Sequence, residues 1–458
     1  MRYADALRFL YDLRWFGLKL GLENTRRLAA LAGNPHERLR FIHVAGTNGK
    51  GSTCAMIESI YRSAGMRVGL FTSPHLVSFG ERIQVDRVPL NELQVVRLVE
   101  EMHDLLAEFP RDHSPTFFEV VTVMAFKHFE ASGCQLVVLE TGMGGRLDAT
   151  NIVNPLASVI TNVQLDHQQW LGNTISEIAG EKAGIIKPGA PALTASDDPA
   201  ALEVIRQVAA SNRSPLTEVT PAQALQPPLD SVMLPLLGDH QRLNAALAVA
   251  TVRTVAAQAN LAESRPGAEA FGPLQSITDR DLSAGLRSVR WPGRLQIIES
   301  PGGQITLLDG AHNPAGVAAM AAAVKKHFPG QHPTLIAGIL RDKDWAEMCD
   351  ALAGIGSTIA FVPVASLRTA APEELAQSLA RSHPEVRVRT CLSLEEGLAS
   401  TTEAPLRIVT GSLYLIGQAL QLLDPKLAPR NDERGLNEYI AADAGRVSSD
   451  APISPGRS

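Results

Sequence analysis

The sequence predicts an α/β protein: a P-loop-containing, doubly wound, mainly parallel sheet domain followed by a smaller Rossmann-like α/β domain. Three observations point there. Wholly apolar runs such as Leu136-Val137-Val138-Leu139 read as strands buried on both faces, which is the habit of parallel sheets. Amphipathic helical stretches alternate with these runs, as strand–helix–strand units require. The first run, Phe41-Ile42-His43-Val44-Ala45, breaks at Gly46, turns through Thr47-Asn48-Gly49, presents Lys50, and continues from Ser52 as a helical pattern ending near Gly65.

Strand, glycine-rich turn and helix together make a phosphate cradle. Backbone N–H groups at the helix start converge on an anion, the helix dipole favours negative charge, and a lysine neutralises phosphate oxygens. The general pattern has four residues between its glycines and a hydroxyl directly after the lysine. Here two residues separate Gly46 from Gly49, and Gly51 stands between Lys50 and Ser52, so the loop is a shortened variant. An ordinary glycine turn would not need the lysine, both hydroxyls and the preceding strand at once.

The remaining elements follow in order. Residues 1–32 are amphipathic helix, with a break at Leu18-Lys19-Leu20-Gly21-Leu22-Glu23. Val68-Gly69-Leu70-Phe71 is a second strand, running into Thr72-Ser73-Pro74-His75; residues 75–89 are irregular or a short hairpin, and 90–108 helical. Thr116 to Ala131 is a helix stopped by Gly133. A central strand then ends on Glu140, before the loop Gly142-Met143-Gly144-Gly145-Arg146, and Ala157 to Val163 forms another strand, ending at Asp166-His167. Residues 263–273 read as a surface insertion, and 277–289 as a helix leading to the hinge Trp291-Pro292-Gly293-Arg294. Strand–helix alternation restarts with 304–308, 334–337 and 358–362. The expected division is 1–294, 295–425 and a largely disordered polar tail at 426–458.

Composition narrows the function. The 458 residues suit two or three domains, and 45% apolar with 20% charged residues is ordinary for a globular enzyme. A net charge of −6 without a basic face argues against nucleic acid or an anionic membrane as partner. Cys54, Cys134, Cys349 and Cys391 lack paired spacing and fit reduced thiols. With no apolar run of membrane-spanning length and no signal-peptide core, a cytoplasmic monomer is expected.

Several residues stand where strands end. Glu140, beside a phosphate loop, suits a hard Mg²⁺ ion, although a loop carboxylate can also bind backbone N–H groups. Ser73 could add a hydroxyl ligand or be an ordinary turn serine. His167 is as readily structural as a ligand. Lys182, within Glu181-Lys182-Ala183-Gly184, reads by itself as a solvated helix lysine. Asp309-Gly310-Ala311-His312-Asn313-Pro314 mixes acid, imidazole and amide before a helix; Asn313 suffices as a cap, which leaves Asp309 and His312 unexplained.

Taken together, V-A-G-T-N-G-K-G-S-T at 44–53, T-S-P-H-L at 72–76, T-F-F-E at 116–119, L-E-T-G-M-G-G-R-L-D-A-T-N at 139–151, L-D-H at 165–167, E-K-A-G-I-I-K-P-G at 181–189, W-P-G-R at 291–294, D-G-A-H-N-P at 309–314 and G-S-L-Y at 411–414 resemble the folylpolyglutamate synthase and dihydrofolate synthase branch of the Mur-ligase-like amide ligases. The resemblance runs from about residue 18 to 424. It implies that Thr47, Asn48, Gly49, Lys50, Gly51 and Ser52 hold ATP phosphates, with Asn244, Arg294 and Asp309 as further ATP contacts. It places one Mg²⁺ on Ser73 and Glu140 and a second at His167, and matches Lys182 to a lysine that the family carbamylates to N6-carboxylysine. Lys50, Lys182, Asp309 and His312 would form the catalytic set. Dihydropteroate or folate contacts would fall on Leu18, Lys19 and Leu20, on Thr116, Phe117, Phe118 and Glu119, and on Leu147, Asp148 and Ala149; L-glutamate would lie near Ser412.

The implied chemistry is ATP-dependent amide formation through an acyl phosphate, shielded from water as two domains close. Segment 18–23 and T-F-F-E look like those of bacterial members with both activities, on dihydropteroate and on the folate tail. A single-activity folylpolyglutamate synthase is one rival, and a non-catalytic nucleotide-binding protein another. The peptidoglycan Mur ligases carry an extra domain before the loop, for which the 44 residues or so preceding it leave no room.

Overall fold

The computed structural model describes residues 1–16, 21–110, 113–263, 274, 276–300, 302–427 and 433–437. The first lobe is built on eight strands: β1 (Phe41–Ala45), β2 (Val68–Phe71), β3 (Ile83–Val85), β4 (Val88–Pro89), β5 (Leu136–Glu140), β6 (Ala157–Ile160), β7 (Ala192–Thr194) and β8 (Leu216–Glu218). Their order across the sheet is β4-β3-β2-β5-β1-β6-β7-β8. From β2 to β8 every pairing is parallel, and β3 and β4 add an antiparallel hairpin at one edge. All residues of β1, β2, β5 and β6 are buried, because helices cover both faces of the sheet, and this is why those strands lack polar alternation.

Two apolar cores flank this sheet. On one face the helix Lys50–Ser63 packs with the helices Asp239–Glu263 and Asp279–Ser288 around Met56, Ile57, Ile60, Leu247 and Leu286. On the other, the helices Tyr3–Asp12, Glu92–Leu106 and Phe117–Ala131 enclose Leu10, Phe79, Val99, Phe126 and Phe129.

The second lobe has six strands: β9 (Gln296–Glu299), β10 (Ile305–Leu308), β11 (Thr334–Ala337), β12 (Thr358–Phe361), β13 (Arg387–Thr390) and β14 (Leu406–Thr410). Their order is β13-β12-β11-β14-β10-β9, all parallel except the edge strand β9. Among the described residues no helix is long and apolar enough to cross a membrane.

Two expectations need correction. The strand expected to run to Val163 and deliver Asp166-His167 stops at Ile160. Beyond it Thr161 and Asn162 wrap the phosphate loop: Thr161 Oγ1 donates to the Asn48 carbonyl at 2.6 Å, and Asn162 Oδ1 accepts the Asn48 N–H at 2.8 Å. The tail expected to be disordered from 426 onward includes a packed piece, Glu433 to Asn437. Leu436 is buried in the core that contains Leu7 and Leu10, and Glu433 and Asn437 are buried among polar partners. Its polar composition concealed one apolar anchor. The insertion expected at 263–273 falls, apart from Glu263, outside the described residues, as do Leu18, Lys19 and Leu20.

Candidate active site

The carboxyl ends of β1, β5 and β6 face the carboxyl ends of β10, β11 and β14 across one crevice of about 380 Å³. Its first wall is the loop Gly46–Ser52. Gly46 has φ +149°, and a Cβ there would lie 1.8 Å from Thr161 Oγ1; Gly49 has φ +83°, and its Cβ would lie 2.6 Å from Asn244 Oδ1. Both positions therefore demand glycine. Gly49 starts the helix Lys50–Ser63 with no side-chain cap, so the first N–H groups have no capping partner, and Gly49 to Ser52 line the crevice. Ser52 Oγ and Thr53 Oγ1 are buried without a hydrogen-bond partner. Uncapped amides and orphaned hydroxyls at one helix start fit a bound phosphate.

The loop is held rigid. Thr47 Oγ1 donates to the Gln164 carbonyl at 3.1 Å and accepts the Gln164 N–H at 3.0 Å, while Asn48 Nδ2 donates to Gln164 Oε1 at 2.7 Å. Two lysines converge on one acceptor: Lys50 Nζ and Lys182 Nζ donate to the Gly46 carbonyl at 3.1 and 3.0 Å. Lys182 is 3% exposed. Burial and the nearby Lys50 cation lower its amine to about 7, so near neutral pH much of it is uncharged. The helix lysine expected to be solvated is thus a core residue, because the helix Ile175–Ala183 packs its Ile178, Ala179, Lys182 and Ala183 inward.

Glu140 closes β5 at 4% exposure. Its Oε2 accepts the Ser73 N–H at 3.2 Å, and burial pushes its carboxyl up to about 7 against the pull of Lys50. A buried carboxylate so raised gains from any added cation. Ser73 lines the same crevice, and its hydroxyl with this carboxylate would make an all-oxygen donor set, as Mg²⁺ prefers. Among the described residues no ready-made group of three acidic, histidine or cysteine ligands exists, so phosphate oxygens and water would complete such a shell.

His167 lies in the left-handed region at φ +52°, and burial lowers its imidazole to about 4. Beside it, Asp166 joins the lobes. Its Oδ1 accepts from Lys343 Nζ of the second lobe at 2.6 Å, with the two side chains only 7% and 8% exposed, and His312 Nε2 stands 3.8 Å from Oδ2. Burial alone would raise the Asp166 carboxyl, but Lys343, His167 and His312 hold it well below the usual range. His312 Nδ1 donates to the Gly310 carbonyl at 2.8 Å, which fixes the ring, and burial lowers it to about 4. Asn313 caps the helix Pro314–His327 and exchanges amide bonds of 3.1 Å with Asn48 across the crevice.

Asp309 accepts the Leu295 and Ala311 N–H groups, each at 2.9 Å, and burial raises its carboxyl against the nearby Arg294 cation. Arg294, Asn244 and Ser412 line the same crevice; Ser412 also caps the helix Leu413–Leu423. The crevice therefore gathers Thr47, Asn48, Gly49, Lys50, Gly51, Ser52, Ser73, Glu140, His167, Lys182, Asn244, Arg294, Asp309, His312 and Ser412.

The T-F-F-E and L-D-A residues stand apart. Thr116 and Glu119 form a reciprocal cap on the helix Phe117–Ala131, Phe117 packs 6.3 Å from Phe79, and Phe118 packs 5.9 Å from Phe71. Asp148 caps the next turn through Thr150 N–H and ties the Met143 N–H at 2.9 Å, burial raising its carboxyl; Ala149 is buried. These residues and Leu147 do not line the crevice. Sequence reasoning passed over Asp166, Gln164, His240, Asn313 as a bridging residue, Lys343 and Asn437. For Lys343 one signal existed: the charged run Arg341-Asp342-Lys343-Asp344 closely follows an apolar strand, where ligand crevices form.

Comparison with known proteins agrees with this layout. A family model described as the Mur ligase middle domain matches residues 44–252, and one described as the Mur ligase, glutamate ligase domain matches 293–410. The dihydrofolate synthase/folylpolyglutamate synthase of Bacillus subtilis is 35% identical over 436 residues, covering 90% of this chain and 97% of that protein. The folylpolyglutamate synthase of Lacticaseibacillus casei is 35% identical over 451 residues, covering 92% and 99%. Among solved structures, the Mycobacterium tuberculosis folylpolyglutamate synthase complexed with ADP superposes with a TM-score of 0.78 at 28% identity, covering 92% of this chain and 99% of that one. A folylpolyglutamate synthase–AMPPCP–folate complex gives 0.75 at 31%, covering 93% and 100%.

Proposed function

The chain belongs to the folylpolyglutamate synthase and dihydrofolate synthase family of Mur ligases, and on that premise we propose an ATP-dependent amide ligase that adds L-glutamate both to dihydropteroate and to the glutamate tail of reduced folates. The observation that carries this reading is the uncapped helix start at Gly49, with Lys50 and Lys182 behind it and the Asp309–Asn313 loop of the second lobe facing it.

A carboxylate is a poor electrophile, so the acceptor's carboxylate first attacks the ATP γ-phosphorus, giving an acyl phosphate and ADP. The glutamate amine then attacks the acyl carbon, the amide forms, and phosphate leaves. Gly46 to Ser52 cradle the phosphates, with Lys50 neutralising charge on the transferred group. Asn244, Arg294 and Asp309 hold the rest of the nucleotide, and Ser412 lies on the glutamate side. Glu140 and Ser73 would hold one Mg²⁺ and His167 a second; bound there, the ions supply charge neutralisation for phosphoryl transfer. Lys182 suits carbamylation because an amine lowered to about 7 is largely nucleophilic near neutrality, and a carbamate would replace a lysine–lysine repulsion with an attraction. The Asp166–Lys343 and Asn48–Asn313 contacts bring the lobes together at the reacting centre. The division into a nucleotide lobe at 1–294 and a glutamate lobe at 295–425 belongs to the same reading.

The test is glutamate-dependent ADP release, measured side by side with dihydropteroate and with tetrahydrofolate. Release with both acceptors supports the two-activity enzyme. Release with tetrahydrofolate alone leaves a folylpolyglutamate synthase, and release with neither overturns the ligase reading.

A further inference from the structure

The crevice has a wall that belongs to neither sheet. Residues 433–437 lie against the first lobe: Leu436 is buried in its core, Glu433 Oε2 accepts the Phe79 N–H at 2.5 Å, and the Glu433 carbonyl is 2.9 Å from His75 Nε2. Asn437 is bonded on three sides. Its Oδ1 accepts from Arg82 Nη2 at 2.5 Å, its Nδ2 donates to the His75 carbonyl at 2.9 Å, and its own carbonyl accepts from Tyr414 Oη of the second lobe at 2.6 Å. Tyr414 Oη in turn accepts from Arg368 Nη2 at 3.1 Å, and Arg368 pairs with Asp342 at 3.1 Å. A continuous polar chain thus crosses from Asp342 to His75, and Arg368, Tyr414 and Asn437 all line the crevice beside Ser73 and Ser412.

We propose that residues 433–437 are a strap that completes the amino-acid end of the active site, with Asn437 a positioning residue that pins the Ser73-Pro74-His75 turn to Tyr414 of the opposite lobe. The inference rests on the ligase reading above. The strap holds together two parts of the site that no strand connects: the Ser73 turn beside the phosphates, and the Ser412-Leu413-Tyr414 helix start where glutamate enters. With the strap in place, an activated carboxyl meets the glutamate amine in a closed space; without it, water enters from the same side. The strap therefore acts chiefly on glutamate use and on coupling, and on nucleotide binding only through the Ser73 turn.

The test compares full-length wild type, Asn437→Ala and Tyr414→Phe, with Lys426→Ala on the exposed surface before the strap as control. Each is assayed for KM of L-glutamate, kcat, ATP affinity, and ADP released per amide formed. Asn437→Ala and Tyr414→Phe are both expected to raise the glutamate KM about tenfold and to release several ADP per amide, with a smaller change in ATP affinity. The Asn437→Gln variant, which retains the amide, is expected to recover part of the loss. A folded strap variant with wild-type glutamate KM and one ADP per amide overturns the proposal, as does a loss confined to thermal stability. Wild type that releases no ADP in response to acceptor and glutamate overturns the ligase reading instead, and the strap's role with it.

Discussion

Two helices open into the crevice from opposite lobes, and they begin in opposite ways. The helix Lys50–Ser63 follows β1 and starts at Gly49, left-handed and without a side-chain cap. The helix Pro314–His327 follows β10 and starts at Asn313, whose Oδ1 accepts the Gly316 N–H at 2.8 Å, with proline at the first turn. A proline has no N–H to offer and a cap occupies another, so the second helix has little left for an anion. The first has all of it. The difference separates binding from positioning: the bare end takes phosphate, and the capped end holds Asn313 against Asn48 and His312 against Asp166.

The largest break in that comparison is Lys50→Ala. It leaves the helix start but removes the cation, and kcat for glutamate-dependent ADP release is expected to fall on the order of a thousandfold. Turnover within tenfold of wild type would show that the loop is not the phosphate site. Gly49→Ala attacks the bare end itself, forcing a left-handed alanine whose Cβ meets Asn244 Oδ1. Isothermal titration is expected to show ATP binding weakened about tenfold, since a strained non-glycine residue costs about 1–3 kcal/mol. Asn313→Ala sharpens the contrast from the other side. Losing that cap is expected to cost about 1 kcal/mol in urea unfolding while ATP affinity holds. Equal losses of nucleotide affinity from both helix-start variants would dissolve the distinction.

A pH-dependent effect concerns Lys182. Its amine falls from 10.5 in the unfolded chain to about 7 when folded, so between these values the unfolded state binds more protons and stability rises with pH. Below about 7 the cost of burying the cation is fully present. Lys182→Met is therefore expected to melt above wild type at pH 6, in bicarbonate-free buffer, with the gap closing as pH rises through 7 towards 10. A gap that is constant across that range would contradict the lowered amine.

Much of this was legible in the sequence for a local reason. The phosphate loop, the buried strands and the Asp309–Asn313 turn are each written in consecutive residues, and glycine, lysine and apolar runs carry their meaning without tertiary context. Lys182 was not legible by composition, because only the inward packing of its helix and its bond to the Gly46 carbonyl reveal that a helix lysine is buried. Asp166 and Lys343 are separated by 177 residues and meet only when the lobes do. Glu119 is ambiguous for another reason: a carboxylate three residues after a threonine is the pattern of a helix cap, and the structure uses it as one. The strap escaped because one leucine in a polar segment gives no periodicity to detect.

The most direct measurement is the structure of this protein with Mg²⁺ and a non-hydrolysable ATP analogue. The γ-phosphate is expected against the backbone of Gly46 to Lys50, with an ion touching Glu140. Nucleotide seated at the Asn313 end, or a Glu140 carboxylate turned away from every ion, would contradict it.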